Sequence, residues 1–160
     1  MTMKWVKLTM AAGLLLATVT SHASRRVIYP EPAQAKPDVA AALKTAAATH
    51  KRVLLDFGGN WCGDCIVLDM YMHDAGNWPI LQANYVLVHI NVGHYDANLD
   101  LASRYQIPLK KGVPALAVLT EKGNLIYSQT NGQFEAMRRM QSSEVTKFLL
   151  QWKPVKPRGR

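Results

Sequence analysis

The sequence predicts an α/β protein with a central mixed β-sheet flanked by helices on both faces. Three observations lead to this fold class. Segments with helical spacing alternate with short apolar runs that are typical of buried strands. Two later strand-like runs are joined by a turn and form a predicted hairpin, and a helix follows them. The length of 160 residues suits one domain.

The first elements are a lead-in, a helix and a strand. Residues 24–37 contain three prolines and are expected to form an extended lead-in. Asp38 is the expected N-cap of an alanine-rich helix that ends near His50. Residues 52–57 are mostly apolar and predict a short buried strand.

Two helices and the second strand follow. The sequence predicts a helix from Cys62 to about Met72, then a short helix over residues 77–84 with Pro79 in its first turn. Residues 85–92 are the second clear strand-like run of the chain, and they predict the second strand.

The last elements are a helix, a hairpin and a final helix. Asp96 or Asn98 is the expected cap of a helix that ends at Tyr105. Residues 114–120 and 125–130 predict the two strands of a hairpin. A last helix is expected to start at Ser142 or Ser143 and to end at Trp152.

The first 23 residues have the pattern of a signal peptide. Lys4 and Lys7 precede an apolar run over residues 8–19, which is short for a membrane span. Ser21 and Ala23 are the small residues of a cleavage site, so the mature chain is expected to start near Ser24. The prediction is an exported or periplasmic protein with no stable membrane insertion after cleavage; an uncleaved membrane anchor is the alternative.

The positive charge lies at the ends of the chain. The formal net charge is +8. Eight cations lie in the signal peptide, just after it, or in a basic, flexible tail expected over residues 153–160: Lys4, Lys7, Arg25, Arg26, Lys153, Lys156, Arg158 and Arg160. Residues 30–152 then hold equal numbers of cations and acids. This distribution excludes a basic nucleic-acid face on the folded body.

The two cysteines predict a dithiol redox site. Cys62 and Cys65 are the only cysteines of the chain, and they follow directly on the predicted strand at residues 52–57. Cys62 opens a helix, where backbone N–H groups and the helix dipole favour the thiolate that attacks disulfides. Cys65, one turn further on, is then the thiol that resolves the mixed disulfide. In an exported protein the pair lies in an oxidising compartment.

Residues 38–152 resemble the thioredoxin superfamily. The sequence Trp61-Cys62-Gly63-Asp64-Cys65, with Asp56 six residues before the first cysteine, is similar to the active-site segment of that family. Gly112-Val113-Pro114 lies before the hairpin, where the family carries a cis-proline. The chain most resembles secreted thioredoxin-like proteins, some of them disulfide isomerases, and the C-terminal periplasmic domain of the transmembrane thiol reductant transporter.

The resemblance implies a role for several residues. Asp56, at the end of a buried strand, is the candidate base that takes the proton of Cys65; an ordinary Asp that caps a turn is the alternative. Trp61 is expected to shield the thiol and to contact partners, or simply to pack in the core. A cis bond before Pro114 is expected to turn the backbone of Val113 towards an extended partner segment, and a trans proline at a strand start is the alternative.

Gly63 and Asp64 are the residues expected to tune the redox potential. Thioredoxin has a proline at the position of Asp64. A carboxylate beside Cys62 opposes the thiolate and therefore favours a reducing couple, unless solvent screens its charge. The loop before Val113, with Lys110 and Lys111, is the expected site of partner selectivity, and an acidic partner surface fits these two lysines.

Two other classes of function compete with the redox enzyme. A copper-handling protein would use the cysteines together with soft ligands from Met70, Met72, His73 or His94. A redox-silent binding module would not use the cysteines at all. Haem attachment is excluded because Ile66 stands where a histidine is needed. A zinc site lacks a second pair of cysteines.

The sequence therefore predicts an exported thiol–disulfide oxidoreductase that reduces or isomerises disulfides of extracytoplasmic proteins. The expected partners are protein disulfides and a redox partner protein. We expect no organic cofactor, no resident metal and a monomer.

Overall fold

The computed structural model describes residues 27–155. Within this range the helices and strands are, in order, α1 (Ala35–Thr49), β1 (Arg52–Gly58), α2 (Gly63–Met72), α3 (Trp78–Asn84), β2 (Tyr85–Asn91), α4 (Leu99–Arg104), β3 (Ala115–Leu119), β4 (Leu125–Ser128) and α5 (Ser142–Trp152). Short 3₁₀ turns cover Pro32–Gln34, Leu109–Lys111 and Met137–Arg139.

The strands of the described residues form one mixed sheet with the order β2-β1-β3-β4. Strand β1 runs parallel to β2 and antiparallel to β3, and β4 pairs antiparallel with β3. The parallel pair starts in register, with Arg52 opposite Tyr85, and this register brings Asp56 opposite His89. The predicted α/β fold with a mixed sheet is confirmed.

Helices cover both faces of the sheet because β1 buries side chains on both sides. Val53, Leu55 and Phe57 pack in one apolar cluster with α1 and α4, and this cluster includes both cysteines. Leu54 packs in a second cluster with residues of α2, α3 and α5. The catalytic candidates therefore lie at the end of a strand that both cores hold in place.

The expected helix cap at Asp38 is wrong. Helix α1 begins at Ala35, after the 3₁₀ turn, so residues 35–37 are helical rather than part of an extended lead-in. Pro37 does not stop the helix because it lies in the first turn, where a missing N–H costs no intrahelical hydrogen bond. Asp38 lies in the same turn, where its charge complements the helix dipole.

The residue expected to cap α4 uses its side chain for other contacts. Asn98 occupies the N-cap position, but it does not cap through its side chain. Its amide instead donates to the carbonyl oxygens of Pro32 and Asn91, at 2.9 and 2.8 Å. The side chain thus ties the lead-in to the end of β2.

The expected signal peptide and residues 156–160 of the expected basic tail lie outside the described residues. Across residues 27–155 no helix has both the length and the apolar character needed to cross a membrane.

Candidate active site

The two cysteines form a disulfide at the start of α2. Cys62 is the N-cap, in extended conformation, and its Sγ accepts a hydrogen bond from the N–H of Cys65 at 3.1 Å. Cys65 is fully buried, whereas Cys62 is 6% exposed. The helix start therefore directs an N–H towards the outer sulfur, which stabilises a thiolate on Cys62 in the reduced state.

The segment around Pro114 lies against the outer sulfur. The peptide bond between Val113 and Pro114 is cis. Cys62 Sγ is 3.5 Å from the carbonyl oxygen of Val113. Gly112 has a φ of +106°, in a region that favours glycine, and so permits the turn that precedes Val113. The predicted residues Cys62, Val113 and Pro114 are therefore brought together.

Asp56 is fully buried and binds two side chains through one oxygen. Its Oδ2 accepts a hydrogen bond from the Tyr29 hydroxyl at 2.7 Å and lies 2.9 Å from Nδ1 of His89. Its Oδ1 has no hydrogen-bond partner among the described residues. Burial raises the pKa of the Tyr29 phenol well above its usual value, and the Asp56 carboxylate raises it further. Tyr29 therefore remains a neutral hydroxyl.

Gly58 leaves room for both Tyr29 and Cys65. A Cβ on Gly58 would lie 2.5 Å from the Tyr29 hydroxyl oxygen and 2.8 Å from Cys65 Sγ. The hydroxyl that donates to Asp56 and the buried sulfur are therefore no more than about 5.3 Å apart.

Trp61 lies on the surface beside Cys62 rather than in the core. It is 44% exposed, and its indole N–H donates to the carbonyl oxygen of Gly93 at 2.6 Å. Its ring stacks on His94 and contacts Tyr95. Tyr95 and Leu99 are also exposed, and they line a cavity of about 530 Å³ with Lys110 at its edge. An apolar surface with one cation therefore adjoins the outer cysteine.

Asp64 forms an ion pair that the sequence did not indicate. Its carboxylate accepts hydrogen bonds from the backbone N–H and from Nε of Arg138, at 2.8 and 3.1 Å. Burial of Asp64 by itself raises its pKa, but the hydrogen bonds and the charge of Arg138 outweigh this effect and hold the pKa below the usual range. The Arg138 guanidinium also lies 3.6 Å from the position that a Cβ on Gly63 would take.

Tyr29, His89 and Arg138 were not identified as site residues from the sequence. The sequence does contain an indication for His89, because aligning the starts of the first two predicted strands places it opposite Asp56. It contains no comparable indication for Tyr29 and Arg138, because segments outside the regular helices and strands bring them to the site.

The ligands expected for copper do not converge. Met72 is fully buried in the second apolar cluster, whereas both cysteines belong to the first. Met70 is 59% exposed. Within residues 27–155 no group of three or more His, Cys, Asp or Glu side chains is arranged to hold a metal ion. The copper-handling alternative is not favoured.

Comparison with known proteins gives a consistent result. Residues 34–120 match the model of the Thioredoxin-like family. The disulphide isomerase from Xylella fastidiosa Temecula1 is 33% identical, with a TM-score of 0.75 over 79% of this chain and 96% of that one. No curated protein shows significant similarity to the chain.

More distant structures share the fold alone. A thioredoxin from Thermus thermophilus is 23% identical, with a TM-score of 0.52 over 77% of this chain and 83% of that one. The C-terminal domain of DsbD from Neisseria meningitidis is 19% identical, with a TM-score of 0.50 over 72% of this chain and 95% of that one.

The family model spans more than half of the chain, including the region of the disulfide, and the isomerase covers most of the chain. The chain therefore belongs to the thioredoxin-like family and is a thiol–disulfide oxidoreductase.

Proposed function

We propose that the protein is exported and reduces or isomerises disulfides in extracytoplasmic proteins. The observation that carries this proposal is the Cys62–Cys65 disulfide at the start of α2, with its outer sulfur 3.5 Å from the Val113 carbonyl oxygen and the exposed Trp61 directly before it in the chain. The signal-peptide pattern supports export, and the similarity to the Xylella fastidiosa disulphide isomerase supports isomerisation.

The reaction begins at the outer cysteine. In the reduced protein the Cys62 thiolate attacks one sulfur of the client disulfide, and the other client sulfur leaves as a thiolate and takes up a proton. Cys65 loses its proton and attacks Cys62, which releases the second client thiol and forms the Cys62–Cys65 disulfide. Two electrons pass from the protein to the client. A redox partner protein must then return the pair to the dithiol state.

Asp56 is the proposed base for the second step. Cys65 lies in a site without solvent contact, so its proton needs a nearby acceptor. Asp56 is the buried carboxylate of the same site, and it binds the Tyr29 hydroxyl, which lies in the same small region beside Gly58 as Cys65 Sγ.

Clients bind as extended segments alongside Val113. The carbonyl oxygen of Val113 is 3.5 Å from Cys62 Sγ, so a client cysteine bonded to Cys62 comes next to this backbone and pairs with it as an added strand. The apolar surface of Trp61, Tyr95 and Leu99 covers neighbouring client side chains, and Lys110 favours an acidic one. The protein acts as a monomer without an organic cofactor or a nucleic-acid partner.

A trapping experiment tests this function. In Cys65→Ser the second step is blocked, so the protein should accumulate as mixed disulfides with periplasmic proteins, which non-reducing gels resolve. Cys62→Ser is the matched control and should trap nothing. Equal trapping by both variants, or by neither, would refute the role of Cys62.

A redox titration tests the direction. The Cys62–Cys65 pair is equilibrated with glutathione buffers and its state is read by thiol alkylation. A potential near the thioredoxin value of about −270 mV supports a reductant, and one near about −180 mV supports an isomerase. Absence of a reversible disulfide would contradict the whole proposal.

A further inference from the structure

Polar side chains extend from the neighbourhood of the buried cysteine to the edge strand β2. The Tyr29 hydroxyl donates to Asp56 Oδ2 and lies, like Cys65 Sγ, within 3 Å of the place that a Cβ on Gly58 would take. Asp56 Oδ2 also lies 2.9 Å from Nδ1 of His89, on the edge strand β2. One carboxylate oxygen thus joins the group beside the thiol to an imidazole that reaches solvent, since the His89 side chain is 17% exposed.

We propose that Tyr29 and His89 carry the proton of Cys65 through Asp56 to a cleft along β2. The inference rests on the proposed function, since it concerns the step in which Cys65 resolves the mixed disulfide. It adds two residues to that step and a route by which the proton leaves.

The transfer balances as follows. The Cys65 S–H gives its proton to the Tyr29 oxygen while the Tyr29 O–H gives its own to Asp56 Oδ2. The Cys65 thiolate then attacks Cys62 Sγ, and the client thiolate leaves. The proton passes from Oδ2 to Nδ1 of the His89 imidazole, which carries its own proton on Nε2. The imidazole then loses the Nε2 proton to water in the cleft, and exchange of its ring proton with this water restores the starting tautomer. Tyr29 suits the role of a conduit because burial and the Asp56 charge raise its pKa and keep it protonated.

The surroundings of His89 fit a group that exchanges protons with solvent. His89 lines two open cavities along β2, of about 360 and 420 Å³. Its Nε2 lies 3.7 Å from Oδ1 of Asp69, which in turn lies 3.1 Å from Nδ1 of His73, just after α2. The Asp69 carboxylate therefore lies next to both imidazoles.

Other charged groups face the cleft from each neighbouring element. Asp38 of α1 lines the smaller cavity. Lys51, just before β1, lines the larger one and donates to the carbonyl oxygen of Gln82. With Asp69 on α2 and His73 just after it, these groups are the ionisable side chains around His89.

The proton leaves the protein at a place that a bound client does not cover. None of the residues that line the two cavities belongs to the surface around Cys62, where Trp61, Val113 and Tyr95 lie. A client that covers the outer sulfur would block solvent from that side. The route through His89 stays open while the client is bound, which is when Cys65 must lose its proton.

The two steps can be separated with the aromatic disulfide dithiobis(nitrobenzoate), because each step releases one coloured thiol. The reduced protein is mixed with one equivalent of the reagent. The first release reports the attack by Cys62, and the second reports the attack by Cys65. In Tyr29→Phe and in His89→Gln we expect an unchanged first phase and a second phase slowed about tenfold or more near pH 7, as expected for loss of proton transfer.

The pH profile distinguishes proton transfer from a packing defect. Above the ordinary thiol pKa of about 8.5 hydroxide ionises Cys65 directly, so the variants should approach the wild-type rate. Tyr71→Phe is the matched control for a partly buried tyrosine, since its hydroxyl donates to the Met140 carbonyl and its side chain lines neither cavity beside His89. His50→Gln is the control for an exposed histidine. In the wild type, the second phase alone should slow in D₂O.

The outcomes are distinct. If the wild type releases fewer than two equivalents of coloured thiol, the proposed function itself fails. If it releases two and either Tyr29→Phe or His89→Gln matches the wild type at every pH, the route through these residues is refuted. A slowed second phase that does not recover at high pH also refutes it, because a damaged site would then be the cause.

Discussion

Asp64 and Arg138 set the charge beside the reactive sulfur. An isolated carboxylate next to Cys62 would disfavour its thiolate and therefore the dithiol form. The structure instead pairs Asp64 with Arg138, whose guanidinium packs over Gly63. The pair removes most of the field that Asp64 alone would impose, so the reducing tendency expected from Asp64 depends on a residue 74 positions away.

Replacing Arg138 should make the couple more reducing. In Arg138→Ala the Asp64 carboxylate stands unpaired beside Cys62, so the thiolate and the dithiol form are destabilised. We expect the equilibrium constant for oxidation by glutathione to rise by a factor of about two to five, a size typical of exposed charge pairs. Thiol alkylation after equilibration in glutathione buffers measures this equilibrium constant.

The neighbouring arginine provides the control for this prediction. Arg139→Ala removes the same charge from the chain, but Arg139 acts on Asp64 only through its charge and not through a hydrogen bond. It should change the constant less than Arg138→Ala does. Equal effects of both variants would mean that net charge, rather than the Asp64–Arg138 contact, sets the potential.

At the scale of elements, the lead-in forms part of the site. The Asn60 side chain accepts hydrogen bonds from the N–H groups of Ile28 and Tyr29 and donates to the Tyr29 carbonyl. Asn91 donates to the carbonyl of Pro30. These contacts hold an irregular segment against the active-site loop and fix the Tyr29 ring, which is 1% exposed.

Removing the Asn60 contacts should loosen the lead-in. Asn60→Ala leaves two N–H groups and one carbonyl without their partner, and we expect a loss of about 1–3 kcal/mol in the free energy of unfolding. Urea denaturation measures this loss, and hydrogen exchange of the Tyr29 amide should become faster.

Asn84→Ala is a suitable comparison, because its side chain makes one local bond to the Ile80 carbonyl within α3. Asn84→Ala should lower the free energy of unfolding by less than Asn60→Ala does, and it should leave the Tyr29 amide protected from hydrogen exchange. If Asn60→Ala leaves this amide equally protected, other contacts hold the lead-in.

The elements also show what the sequence can predict. The strands at 52–58 and 85–91 are specified by short, mostly apolar runs, and the cysteines, Asp56 and Pro114 follow from a motif tied to those strands. The cap at Asp38 was mispredicted because Pro37 reads as a helix stop, although a first-turn proline is tolerated. The Tyr29 and Arg138 contacts depend on the paths of irregular loops, which periodicity does not encode.

At the scale of the whole molecule, the disulfide is linked to the stability of the fold. Both cysteines pack in the cluster between the sheet, α1 and α4, so the redox state of the pair changes the energy of this core. A thermodynamic cycle relates the two quantities. The difference in unfolding free energy between the oxidised and reduced protein equals the difference in reduction free energy between the folded and unfolded chain.

The sign of this difference in unfolding free energy therefore shows whether the enzyme reduces or oxidises its clients. A protein that reduces others must hold its own disulfide more strongly when folded than when unfolded, whereas strong oxidants have a stabilised reduced form. For a reductant we expect the oxidised protein to be more stable by about 2 kcal/mol, the size given by closing so short a loop. This difference corresponds to a folded couple about 40 mV below the unfolded one.

Urea unfolding of the two forms, with and without a strong reductant, measures this difference directly. The double variant Cys62→Ser, Cys65→Ser is the control, and its midpoint should not respond to the reductant. A lower midpoint of the reduced wild type supports a reductant, because the fold then stabilises the disulfide. A higher midpoint would assign the opposite direction: the fold would stabilise the dithiol, and Arg138, rather than Asp64, would dominate the charge at Cys62.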